Sequence, residues 1–139
     1  MSGANTPEHD VVVIGGGLAG LTAGLFAARY GRSTLVLEAT VPGGHLVNVE
    51  KIEDFPGLLD GVPGYDLCPT VQEQAETHGA QFQLAEVERL EPDGRDWRIV
   101  TGEGSHRARA VIVASGSRPK SLGVPGESDL QGRGISHCA

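Results

Sequence analysis

Gly15, Gly16 and Gly17 interrupt the chain between the apolar run Val11–Val12–Val13–Ile14 and a segment where Leu18, Leu21, Leu25 and Ala28 recur at helical spacing. A short uninterrupted run rich in β-branched residues predicts a strand buried on both faces. The recurrence predicts a helix with one apolar stripe, and Gly31 suits the position just past its end. Ser33 to Glu38 reads as a second strand. Strand, helix and strand in such close succession cross over right-handedly, so the two strands are expected to be parallel. Three glycines favour neither a strand nor a helix, so their place at this junction calls for a ligand or a neighbouring backbone that comes close to the chain.

Gly15, Gly17 and Gly20 form G-x-G-x-x-G in the one context that gives the pattern meaning, directly after a strand and opening a helix. The first glycine permits a tight turn, the second lets backbone N–H groups approach a pyrophosphate, and the third allows close helix–sheet packing. Leu18 and Ala19 belong to the same first turn, where the helix dipole adds about half a positive charge. No Asp or Glu lies between Val11 and Tyr30 to repel an anion, and no Gly-Lys-Ser/Thr follows, which excludes a nucleoside-triphosphate P-loop. Glu38, followed by Ala39, ends the second strand where a carboxylate accepts from ribose hydroxyls, and its charge would repel a 2′-phosphate. These residues predict a dinucleotide site without specifying the dinucleotide.

The rest of the chain bounds the possibilities. A length of 139 residues suits one compact domain, and a formal net charge of −7 argues against a nucleic-acid partner. No apolar run approaches a membrane span, the N-terminus lacks a signal-peptide core, and two distant cysteines make no disulfide framework. The cytoplasm is the default compartment. Thr40 to Pro63, rich in Gly and Pro, predicts a long irregular segment of the kind that carries function. Tyr65 to His78 predicts a helix, with Leu67, Val71, Ala75 and His78 on one stripe and Pro69 tolerable only near its start. Gln81–Leu84, Glu86–Leu90 and Trp97–Thr101 alternate at period two, with Asp93–Gly94 as a hairpin signal. "RARAVIVASGS" is a further strand entering a small-residue turn, and the glycine-rich tail after Pro119 reads as extended. Cys68 reads as a small packed residue. His9, His78 and His106 show no metal-ligand spacing and read as surface histidines, so no metal site is expected.

Taken in order, Asp10–Glu38, "PGGHL", "EKIEDFPG", "EQAETHGAQF", "AVIVASGSRPK" and "LGVPGE…GRGISHCA" resemble the bacterial-type (low-molecular-weight) thioredoxin reductases over nearly the whole chain. The resemblance implies an α/β fold: a Rossmann-like FAD-binding domain with a central parallel sheet and a small antiparallel β-meander. It implies that Gly15, Gly17 and Gly20 hold the FAD pyrophosphate and Glu38 the adenosine ribose. Gly43, Gly44, His45 and Leu46 would approach the flavin, Asp54 would lie near the isoalloxazine, and Ala114–Ser115–Gly116 would close over the cofactor. The sequence departs from the family at His45, where Gln is usual, and at Asp54, where Asn is usual. An amide can donate to the flavin, and a carboxylate cannot unless protonated.

Cys138 matches the first half of the family's redox-active C-x-x-C pair, which makes it the candidate catalytic residue. The implied organisation is an FAD-binding portion over 1–118 and a linker over 119–139 that leads to an NADPH-binding, disulfide-carrying domain. The implied activity passes electrons from NADPH to FAD, to the cysteine pair and on to a thioredoxin-like protein or small disulfide, in a homodimer. Two other readings stay open: a flavin-dependent dithiol oxidase using oxygen and no NADPH, and a non-catalytic dinucleotide-binding module.

Overall fold

The structure, a computed structural model, describes residues 8–136. Its chain order is β1 (His9–Ile14), α1 (Leu18–Arg29), β2 (Thr34–Glu38), a 3-10 turn (Gly44–Asn48), α2 (Gly64–Thr77), β3 (Gln81–Leu84), β4 (Val87–Asp93), β5 (Asp96–Thr101), β6 (Gly104–Val113) and α3 (Glu127–Leu130). All six strands belong to one sheet in the order β3-β2-β1-β6-β5-β4. The first four in that order are parallel, with Val12 paired to Leu35 and to Val111, and β6-β5-β4 continue as an antiparallel meander. This is the Rossmann-like architecture with parallel sheet and meander that the sequence led us to expect.

Helix α1 buries Leu21, Leu25 and Ala28, the stripe read from the sequence. Its end is closed by Gly31, whose φ of 71° is open to glycine, while the N–H groups of Gly31 and Arg32 donate to Ala28 O and Ala27 O. That pair of bonds satisfies two otherwise orphaned carbonyls. Helix α2 buries Leu67, Val71 and Ala75, but His78 caps its end and is exposed. Pro69 lies within α2 and deprives the Tyr65 carbonyl of its helical donor. Tyr65 is exposed, so water can replace that donor.

Two strand expectations need adjustment, and a third strand had no neighbour assigned to it. Gln81–Leu84 pairs in parallel with β2 at the edge of the sheet opposite the meander. The α2 crossover delivers it there, and a four-residue alternation carries no information about which neighbour it finds. The hairpin turn falls on Gly94–Arg95, one residue later than the Asp93–Gly94 signal, since Asp93 and Asp96 still pair. Only Gly94 has positive φ, as a type II′ turn requires. β6 also begins earlier than the apolar run, at Gly104, because its first half is meander and its second half central strand.

The segment Thr40 to Pro63 is irregular yet packed. Ile52 is buried, exchanges backbone hydrogen bonds with Val62, and joins Leu21, Leu67, Cys68 and Val71 in one apolar cluster. A second cluster on the sheet unites Val12, Leu35 and Leu37 with Ile99 and Ala108 of the meander. The tail is more ordered than an extended exit. Both oxygens of Glu127 accept from the backbone N–H groups of Leu122 and Gly123 (2.9 Å each), and α3 follows.

Candidate dinucleotide-binding site

The carboxyl ends of the central strands converge on one place. The Gly15 N–H donates to Leu37 O, the Ala114 N–H to Ile14 O and the Gly43 N–H to Gly16 O, each at 2.8 Å. The glycine turn after β1 is thereby tied to the ends of β2 and β6 and to the start of the irregular segment. From β1 the chain passes to β2 on one side, and the parallel neighbour on the other side is β6. A crevice opens at such a switch point beyond the strand ends, where ligands bind in open α/β sheets.

Each glycine there has a separate reason. A Cβ on Gly15, whose φ is 103°, would collide with the Ala114 carbonyl oxygen, and one on Gly20 would collide with the Gly15 carbonyl oxygen. A Cβ on Gly16 would press on Glu38 Cβ at 2.9 Å. Gly17 differs: nothing lies within 4 Å of its Cβ position, and its backbone (φ −68°, ψ 175°) suits any residue. The fold requires glycine at 15 and 20, but the fold alone does not require it at 17. The described residues leave the space in front of Gly17 open.

Gly17 caps α1 without a side-chain partner, and no acidic residue occupies the first turn. The first N–H groups of a helix have no intrahelical acceptor, so those of Gly17, Leu18, Ala19 and Gly20 present donors and a positive dipole end. Leu18 turns partly inward against the apolar cluster around Ile52, whereas Ala19 is exposed.

Glu38 stands beside these donors. Its Oε2 accepts from the Gly16 N–H (2.6 Å), and its Oε1 accepts from the Thr40 N–H (2.9 Å) and hydroxyl (3.1 Å). The carboxylate therefore braces the glycine turn; Oε1 is filled by its two bonds to Thr40, and Oε2 keeps acceptor capacity for a ribose hydroxyl. Replacing Glu38 by Arg is expected to reduce dinucleotide affinity by about 1.5–3 kcal/mol, the worth of a hydrogen bond to a charged group. The same change orphans the N–H of buried Gly16 and is expected to lower the urea midpoint. Equilibrium dialysis and urea titration read the two effects separately. A lower midpoint with unchanged affinity would restrict Glu38 to bracing the loop.

Gly43 and Gly44 lie against the turn, Gly43 bridging to Gly17. A Cβ on Gly43 would meet Cys68 Cβ at 2.9 Å. Cys68 is fully buried there, and burial pushes its thiol pKa up, so it packs as a neutral apolar group. Leu46 is half-buried against the apolar cluster around Ile52, and its carbonyl leaves no room for a side chain at Gly64. His45 Nε2 donates to the Ser117 carbonyl oxygen (3.0 Å), joining this segment to the turn after β6. Ala114 is half-buried, with Ser115 and Gly116 exposed beside it, and Ala39 is exposed next to Glu38. Asp54 is exposed in a bend, and no hydrogen bond among the described residues connects it to these loops. Cys138 lies outside the described residues.

Three contributors were not legible beforehand: Thr40, which holds Glu38; Ser117, which accepts from His45; and Gly64, which lets α2 abut the 3-10 turn. Pro63–Gly64 at a helix start was a usable signal for the last. The first two depend on loop geometry. Among the described residues, no helix is long and apolar enough to cross a membrane.

The histidines also differ from expectation. His78 is exposed, but His9 and His106 are half-buried and adjacent, with ring centroids 6.0 Å apart. The parallel pairing of β1 with β6 sets His9 opposite Ala108, two residues from His106, a proximity no linear spacing announces.

Residues 9–139 match the family model described as pyridine nucleotide-disulphide oxidoreductase. The chain is 39% identical over 132 residues to a thioredoxin reductase of Bacillus subtilis and 41% identical over 131 residues to one of Mycolicibacterium smegmatis. Each alignment covers 94% of this chain and 41% or 42% of the relative, so the chain spans about two fifths of the curated relatives it matches. The solved thioredoxin reductase of Lactococcus lactis superposes with a TM-score of 0.83 at 35% identity, covering 94% of this chain and 43% of that one. With its strand ends, glycine turn and family match in agreement, the chain belongs to the pyridine nucleotide-disulphide oxidoreductase family.

Proposed function

We propose that this chain is the FAD-binding portion of an NADPH-dependent disulfide oxidoreductase of thioredoxin reductase type. The observation that carries the reading is the open space at Gly17, set among helix-end donors and beside Glu38 while its neighbouring glycines are closed in by protein. The residues fit FAD. The N–H groups of the first turn of α1 would bind its pyrophosphate, and Glu38 would accept from the adenosine ribose. The segment from Gly43 to Leu46, linked through His45 to Ser117, would line the flavin half, with Ala114–Ser115–Gly116 across from it. When bound, FAD supplies a two-electron relay between a nicotinamide and a disulfide.

Cys138 is the proposed thiol of the redox pair. Disulfide exchange requires a thiolate sulfur, and an oxygen in its place cannot form the mixed disulfide. In the full-length enzyme, Cys138→Ser is expected to abolish thioredoxin-type disulfide reduction while flavin content and flavin reduction by NADPH persist. Undiminished turnover in that variant would remove Cys138 from the mechanism.

The purified full-length protein is expected to carry a flavin absorption spectrum, release FAD on denaturation and reduce a protein disulfide at the expense of NADPH. A colourless protein that binds NAD without flavin would overturn the reading. Oxygen consumption driven by a small dithiol, with no response to NADPH, would replace the reductase by a dithiol oxidase.

A further inference from the structure

We propose that Glu8, His9 and His106 form a binding site for one divalent transition-metal ion of the zinc class, at the end of β1 opposite the dinucleotide crevice. One ligand atom from each residue can be chosen so that all three lie within 4.8 Å of one another. Zinc–nitrogen and zinc–oxygen bonds of about 2.0–2.2 Å place tetrahedral donors roughly 3.3 Å apart. The trio must therefore contract by roughly 1.5 Å at most to meet that spacing. Glu8 is exposed and free to swing, and its Oε2 already lies 3.8 Å from His106 Nδ1.

Two imidazoles and a carboxylate are a donor set that zinc prefers, with the fourth position left to water. Ser33 Oγ lies 3.5 Å from His9 Nδ1, in place to orient that ring as an outer partner. The cations nearby are already engaged: Arg107 faces Asp93 and Asp96, and Arg109 faces Asp10.

The position gives the ion a structural role. His9 opens β1, and His106 lies where β6 passes from the meander into the central sheet. A shared ion would clamp the meander to the first strand. Six residue steps from His9 along β1, roughly 20 Å, separate it from the glycine turn, so the proposal does not depend on the cofactor reading.

The test is titration of the metal-free protein with Zn2+, and with Co2+ as a spectroscopic probe. One equivalent is expected to bind, with a raised thermal midpoint and visible Co2+ bands of low coordination number without a thiolate charge-transfer band. Binding is expected to weaken at least about tenfold in His9→Gln and His106→Gln, since even outer partners of ligands change affinity by 10–100-fold. The exposed His78→Gln variant should match the unmodified protein. In the unmodified protein, the imidazole NMR signals of His9 and His106 should move on Zn2+ addition while that of His78 stays. Absence of saturable binding overturns the proposal. So does binding that survives both histidine variants, or binding that disappears with Cys138→Ser.

Discussion

The Gly17→Val protein is expected to fold normally and to be purified without FAD. Valine is compatible with the extended backbone of Gly17, and its Cβ would meet no protein atom within 4 Å. Losing glycine at a helix cap costs about 1 kcal/mol or less, so the thermal midpoint of the apo-protein should fall only slightly. The branched side chain would project into the space in front of the first turn of α1. A pyrophosphate pushed away there gives up charge-assisted hydrogen bonds worth about 1.5–3 kcal/mol each, and two of them amount to at least roughly a hundredfold in affinity. Flavin absorbance per protein and the thermal midpoint of the apo-form together decide the matter. A flavin-loaded Gly17→Val protein would sink the cofactor assignment, because no other position so directly tests whether a ligand fills that gap.

The opposite outcome is expected three residues later. Gly20→Ala adds a single methyl group, and alanine would favour the helix by about 1 kcal/mol if nothing else intervened. Here that methyl would run into the backbone carbonyl of Gly15, with Val13 Cγ1 a further 3.4 Å contact. Neither the carbonyl nor the strand carrying it can rotate away as a flexible side chain would. Forced overpacking costs about 1–3 kcal/mol, occasionally more, and moving α1 off the sheet also disturbs the buried Leu21. Set against the helix-propensity gain, the net loss is expected to be up to about 2 kcal/mol, read as a lowered urea midpoint at unchanged slope. Gly17→Ala, measured alongside, should be close to neutral. Equal midpoints for the two alanine variants would show that α1 slides freely and that the third glycine has no packing role.

Much of this was written locally in the sequence. Four β-branched residues in a row, an apolar stripe of period 3.6 and a glycine at the stop specify β1 and α1, because each signal arises within a few residues of the structure it dictates. The glycine pattern between them is legible for the same reason: turn, helix terminus and strand end are consecutive in the chain. Glu38 could be singled out because a crossover of fixed length returns the end of β2 beside the start of α1.

The sequence alone determined a parallel strand–helix–strand unit with a dinucleotide-type turn, a second helix and an antiparallel meander. Only the tertiary structure decided the rest. It showed that Gly15 and Gly20 are closed in by protein while Gly17 is open, since a Cβ clash depends on atoms such as Ala114 O that lie far away in sequence. It placed Gln81–Leu84 at the far edge of the sheet and packed the Thr40–Pro63 segment around Ile52. It set His9 beside His106 and His45 against Ser117. Residues 97 or 72 positions apart meet only because particular strands pair, and pairing partners are chosen by the burial of whole surfaces. No local periodicity records that choice.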